Sequence, residues 1–372
     1  MRCIKMRIAV LVVLVVTVSC SSDSNEASVT SVKTITADPT SALMTVKMLT
    51  EFDAYTKDSQ LYPLDAAKLK GMYTNTGNPF SDPALNTSGV SLRGKTADNA
   101  KLQFDFLFEK MGEVALAYQS PAAKGQKGSY ASASGSSVRL FNENGLEINQ
   151  AIIKGLMGAV LLNQTLNFCL DPTNLNALAN QAERAKLWEE GYNYIFGYKG
   201  PDNTKKYYWE SYLNTVNGNS NFNGITQDVK EAFEKGKAAI LAGNNGERDK
   251  QIAVIKEKLS KVGAIRAVYY LKKSKEKLSG STVITGDMAA AFHGLSEAFG
   301  FIKTLAYTND PKTNEPYIIK SKTEEMNKAL LGGDNGFWDA NYTGTQIDLL
   351  SETIANTFGF TVEQATAQGG SH

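Results

Sequence analysis

Histidine is almost missing from this chain: of 372 residues only His293 and His372 are histidines, and His372 closes a Gly-Gly-Ser-His tail. A tail of that composition reads as disordered. Any mechanism that needs an imidazole inside the fold must therefore use His293. Ser-His-Asp and Cys-His schemes both converge on it, and no nucleophile elbow surrounds it. A three-histidine zinc site and an HExxH helix are excluded outright. Cysteine is nearly as scarce, at three. Cys3 and Cys20 lie near the start, so Cys169 has no intramolecular partner in the mature chain and no disulfide framework is expected. Stability has to come from core burial.

Long hydrophobic runs are few as well. The one from Ile8 to Val18 follows Arg2, Lys5 and Arg7 and ends at Thr17-Val-Ser-Cys20. It falls well short of the roughly 20 residues of a membrane-spanning helix, so residues 1–19 read as a signal peptide. Small residues before a cysteine suit lipoprotein processing, which would leave Cys20 as an acylated first residue. Residues 20–40 hold too few large apolar side chains to fold and read as a disordered tether. Asp23 and Glu26, so close to Cys20, resemble the export tag of Bacteroidetes surface lipoproteins; a periplasmic face is the other orientation. Removing residues 1–19 takes away three positive charges and moves the formal net charge from +1 to −2. No basic field remains to attract phosphate backbones, so nucleic acid is not an expected partner.

What the chain does have is helical periodicity. Leu43, Val46, Leu49, Phe52 and Tyr55 recur at three- and four-residue steps and predict an opening helix to about 58. A short helix near 64–73 precedes a Gly/Pro/Asn/Ser loop over 74–95, long enough to be a functional or packing loop. Further helices are predicted at 96–118, 146–170, 175–196, 204–216, 225–242, 247–278, 287–305, 321–331 and 344–358. The Gly/Ala/Ser segment 121–137 reads as a solvated linker. No run alternates with period two, so the class is all-α, with two packed helical bundles at 41–172 and 173–362 and a disordered tail at 363–372. Sliding Ala151–Leu166 along by 139 residues onto Ala290–Leu305 matches six positions, which either a duplication or convergent packing would explain.

The chemistry concentrates in residues 287–305. His293 and Glu297 are four apart and share a helix face, among small residues that let another helix approach. A buried ionisable pair needs partners. The donors that could complete a metal or ligand site are Glu147, Gln150 and Glu190, with Glu189 beside it. A divalent or ferric ion is the cofactor such a set would take; a hydrogen-bonded core pair fixing helix register is the plainer reading. The aromatic zone from Trp188 to Tyr212 reads as core. Asp334, Asn335 and Asp339 do not fit calcium-loop spacing and read as turn and cap. Lys272–Lys277 reads as a solvated helix end.

Four stretches carry a resemblance: Gly145–Ala159, Trp188–Tyr194, Ala232–Ile240 and His293–Phe301. They are similar to a family of uncharacterised Bacteroidetes lipoproteins and, more distantly, the His/Glu pair resembles that of the imelysin group. The imelysin resemblance implies paired helical bundles linked to iron uptake and, in older descriptions, to peptidase activity. Its pattern, GxHxxE, has histidine and glutamate three apart. Here they are four apart, and Ala291 stands where the pattern has glycine. Three functions are therefore expected. The first is a lipid-anchored cell-envelope binding protein, surface-facing or periplasmic, serving metal or nutrient acquisition with an outer-membrane transporter. The second is a metal-dependent peptidase or hydrolase using His293 and Glu297. The third is a structural or interaction lipoprotein without a small-molecule site.

Overall fold

A computed structural model of the chain describes residues 35–367, except 59, 61, 133, 136, 137, 201 and 202. The expected signal peptide at 1–19, Cys20, the tether up to residue 34, and His372 lie outside the described residues. Among the described residues, fifteen α-helices and one two-stranded sheet make up the strands and α-helices. The fold is all-α, and the described residues form one compact unit.

Helix α1 (Pro39–Asp58) carries Pro39 in its first turn, where the missing N–H costs nothing, and buries Val46, Leu49 and Phe52. Helix α2 (Ala66–Thr74) is capped by Asp65. The segment expected as a long loop contains α3 (Pro83–Asn86) and α4 (Leu92–Lys95), started by Asp82 and Ser91 side chains that accept backbone N–H bonds. Asn75 ties it together by donating to the carbonyls of Leu85 and Val90. It is a packing loop.

Helix α5 (Lys101–Ala115) leads to a correction. Residues 121–137 are not a solvated linker: β1 (Gly128–Ala131) pairs antiparallel with β2 (Val138–Phe141), with Gly128 opposite Phe141. Leu140, Phe141 and Ala122 are buried, and the Lys124 N–H bonds to the Thr282 carbonyl. Small polar residues conceal a hairpin held by its few apolar anchors.

Helix α6 (Ile148–Leu156) continues to residue 169, but as wider π-helical turns at Met157–Leu162 and Gln164–Cys169. Widening takes carbonyls out of line with their own helix, and other elements supply donors. The Thr304 hydroxyl donates to the Lys154 carbonyl (2.7 Å), the Trp209 indole to Met157 (3.0 Å) and the Ala97 N–H to Ala159 (2.9 Å). Cys169 is a buried free thiol.

The expected helix at 175–196 is broken. It consists of α7 (Pro172–Ala177), then α8 (Gln181–Tyr192) started by the Asn180 cap, then a third π turn at Asn193–Gly197. Helix α9 (Tyr208–Asn217) begins later than expected. Helices α10 (Ile225–Leu241), α11 (Asn245–Lys275) and α12 (Gly286–Thr304) follow, the last two capped by Asn244 and Thr285. Then come α13 (Lys320–Leu330), α14 (Ala340–Phe358) and α15 (Val362–Thr366). The last occupies what reads as the start of a disordered tail: a Thr361/Gln364 capping box forms it, and Val362 and Ala365 are buried.

Helix α11 packs against α9, α10, α12, α14 and α15, and α12 lies against both α11 and α6. One apolar core connects residues from 42 to 365. At the α6/α12 seam a Cβ on Gly300 would come within 3.0 Å of the Gln150 carbonyl, and one on Gly158 would collide with Thr304. The absence of side chains at both positions lets the two backbones approach. No helix among the described residues is long and apolar enough to cross a membrane.

Candidate functional site

The site is built where α6 begins. The turn before it needs Gly145, whose φ is +80 and where a Cβ would lie 2.8 Å from the Phe292 ring of α12. That turn presses Glu147 against α12. The Glu147 N–H donates to the Ser296 hydroxyl oxygen (2.8 Å), and that hydroxyl donates to the Phe292 carbonyl (2.6 Å). The Glu147 side chain is 1 % exposed and sits at a helix N-terminus, where the dipole favours negative charge.

Three side chains converge on this carboxylate. His293 Nδ1 lies 2.6 Å from Oε2; a carboxylate can only accept, so Nδ1 donates. Gln60 Nε2 donates to Oε1 at 3.2 Å, and the Arg139 guanidinium, on β2, is 3.6 Å from Oε2. On its other side, His293 Nε2 is 3.7 Å from Glu297 Oε2, beyond hydrogen-bond reach. Glu297 is held instead by Lys154 of α6, at 3.1 Å. The row reads Arg139, Glu147, His293, Glu297, Lys154, with cationic or imidazole groups alternating with acids.

The electrostatics of the last pair follow from burial and contact. Burial raises the Glu297 carboxyl pKa, but Lys154, then His293 and Arg266, outweigh it and hold it below the usual carboxylate range. Burial likewise lowers the Lys154 ammonium pKa, but Glu297, together with Tyr270 and Asp53, outweighs it and leaves it above the usual lysine value. Each acid in the row thus has a cation of its own.

Of the residues nominated from sequence, the structure brings together His293, Glu147 and Glu297. Gln150 is buried on α6 and is not a hydrogen-bond partner of His293. Glu190 is elsewhere, bound by Lys95 and Ser41 (both 3.0 Å), the Tyr194 hydroxyl (3.1 Å) and the Asp38 N–H (2.9 Å). Glu189 pairs with Lys237. Among the described residues no group of three or more His, Cys, Asp or Glu side chains is arranged to hold a metal ion. The direct His293–Glu147 hydrogen bond occupies the space a shared ion would need.

The secondary candidates resolve plainly. Trp188, Tyr192 and Phe196 pack around Phe233, and the Trp188 indole donates to its carbonyl. Asp339 accepts the Asn335 N–H within its turn. Lys272 and Lys275 both pair with Asp348. Sequence reasoning missed Arg139, Gln60, Ser296 and Lys154. Only Lys154 left a signal: it is the sole charge between Ile148 and Leu166.

The whole row lies within a stretch that matches a known family. Residues 28–361 match the family described as Domain of unknown function (DUF4856). The chain belongs to that family. Comparisons with curated proteins and with solved structures find no match. For this DUF4856 member the arrangement itself has to speak: a linear set of paired charges that can hold two helices in register, with the His293 side chain 26 % exposed at its centre.

Proposed function

We propose that this chain is a non-enzymatic, lipid-anchored binding protein of the cell envelope, held in the outer membrane through Cys20 and serving nutrient uptake alongside a transporter. Anchoring is supported by Thr17-Val-Ser-Cys20 after a short apolar run, and by the resemblance to Bacteroidetes lipoproteins. One observation carries the non-enzymatic part: both carboxylates flanking His293 already hold a cation, Glu147 through Arg139 and Glu297 through Lys154. A general base or metal ligand would first have to be released from its partner, leaving a buried charge unpaired. The metal-acquiring and hydrolase readings, and with them the imelysin likeness, need that release.

Two measurements on the full chain test the proposal. A labelled fatty acid fed to expressing cells is expected to appear on the wild-type protein and not on Cys20→Ser; label retained by the variant overturns the anchor. Calorimetric titration with Zn²⁺ and Fe³⁺ is expected to give the same weak signal for wild type and His293→Ala. Tight binding lost in the variant would restore the metal reading.

A further inference from the structure

Lys154 has a second environment. Besides pairing with Glu297 it lines a cavity of about 390 Å³ between α1 and the start of α9, a size within the usual range for small-molecule sites. The lining is unbalanced in charge. Lys57, Lys154, Lys205 and Lys206 face one acid, Asp53, and Asp53 is already paired with Lys57 at 2.9 Å. Lys206 bonds the neutral Asn214 amide at 3.1 Å, and the Lys205 ammonium lies 5.0 Å from the centre of the Tyr207 ring. Neither has a carboxylate partner among the described residues.

The excess of positive charge continues behind the wall. Tyr212 lines the cavity, and the Arg266 guanidinium lies 5.5 Å from that ring and 4.3 and 4.4 Å from those of Tyr269 and Tyr270. Arg266 is 4 % exposed, and its Nε has no hydrogen-bond partner. Glu297 acts on it, and also serves Lys154 and His293. In a poorly solvated interior that surplus projects a positive field into the cavity.

The wall is also strained. Tyr208, with φ +44, lies in the left-handed region that a bulky residue rarely enters. Such strain costs on the order of 1–3 kcal/mol and recurs where a side chain is held for a ligand. It sets the Tyr208 ring on the cavity beside that of Tyr207, their centres 6.2 Å apart. Flat ring faces bind flat or ring-shaped partners.

We propose that this cavity binds a small organic oxyanion carried on a ring, its acidic group met by Lys205, Lys206 and Lys154 and its ring lying against Tyr207 and Tyr208. The inference rests on the binding-protein reading and names the ligand class for it. The test is calorimetric titration of the full chain with glucuronate, glucose 6-phosphate and benzoate, with glucose and benzyl alcohol as neutral controls. At least one anion is expected to bind, more weakly as salt is added, with the neutral compounds silent. The double variant Lys205→Gln/Lys206→Gln touches only exposed side chains, so it is expected to keep the wild-type melting temperature and lose about tenfold in affinity. Tyr208→Asn, which tolerates the left-handed backbone but gives up the ring's packing against the core, is expected to weaken binding. Absence of anion binding at millimolar concentration, equal binding of neutral compounds, or unchanged affinity in the lysine variant would overturn the proposal. The fatty-acid label on Cys20 is read separately, so failure of the ligand and failure of the anchor are distinguishable.

Discussion

Two of the buried glutamate–lysine pairs in this fold, Glu190 with Lys95 and Glu297 with Lys154, are built differently. Glu190 and Lys95 form a closed clasp: beyond the 3.0 Å ion pair, Ser41, Tyr194 and the Asp38 backbone all donate to the same carboxylate, so the start of α1, the end of α4 and α8 meet on one anion. Glu297 and Lys154 form the end of an open row. Their carboxylate shares its surroundings with His293 and Arg266, and their ammonium faces a cavity. A carboxylate surrounded by uncharged donors is satisfied locally. One balanced by charges alone depends on everything that titrates near it.

The comparison can be broken most forcefully at the clasp. Lys95→Met should leave Glu190, 1 % exposed, without its cation and cost about 3–5 kcal/mol in urea unfolding. A loss below about 1 kcal/mol, the range of a surface pair, would show that the neutral donors suffice.

Lys154→Met should cost somewhat less, about 2–3 kcal/mol, because His293 and Arg266 still face Glu297. Its pH signature is the sharper readout. The Glu297 pKa is depressed in the fold, so its contribution is present above its unfolded value of 4.5 and is lost as pH falls through the lower folded value. The Lys154 pKa is raised, so its contribution is present below 10.5 and is lost as pH rises through the higher folded value. Stability measured from about pH 3 to neutrality should therefore fall on the acid side in the wild type and fall less in the variant. Parallel curves would mean that the pair is not the source.

The smallest effect tests a lysine with no partner. Lys303 of α12 lies over the Phe299 ring, 5.3 Å from its centre, and has no ion pair among the described residues. Burial, only partly offset by Glu324, pushes its pKa down to about 8. The charged form is penalised in the fold, so below pH 8 Lys303 destabilises, and that penalty fades between about 8 and 10.5. Lys303→Met should raise stability at pH 7, with the gain shrinking as pH rises from about 8 and gone above about 10.5. Destabilisation at neutral pH would show that its ammonium has a partner after all.

Much of the scaffold was legible because local signals agree. The helices predicted at 247–278 and 287–305 lie where α11 and α12 are found, and the structure adds the Asn244 and Thr285 caps that start them. The hairpin was not legible, since Gly128–Ala131 offers no alternation and its pairing is decided by packing. Nor were the π turns, because a 3.6-residue template fits the apolar sequence 157–169 equally well. At the site, His293, Glu297 and Glu147 were legible as ionisable groups that burial would force to find partners. Arg139 and Gln60 were not, because they come from segments whose place beside α6 is a property of the tertiary fold.

The π turns after α6 have one more consequence. Each wide turn carries a residue that a regular helix would not need, and one residue is about 100° of rotation. Lys154, ahead of the first wide turn, meets Glu297, whereas Thr165, beyond it, meets the Gly191 carbonyl in α8. The two ends of one continuous helix are thus clocked toward different neighbours, with Thr304, Trp209 and Ala97 acting as pins in the keyway. Angular phase, rather than composition, is what this stretch encodes, and a chain one residue shorter there would aim one of the two ends away from its neighbour.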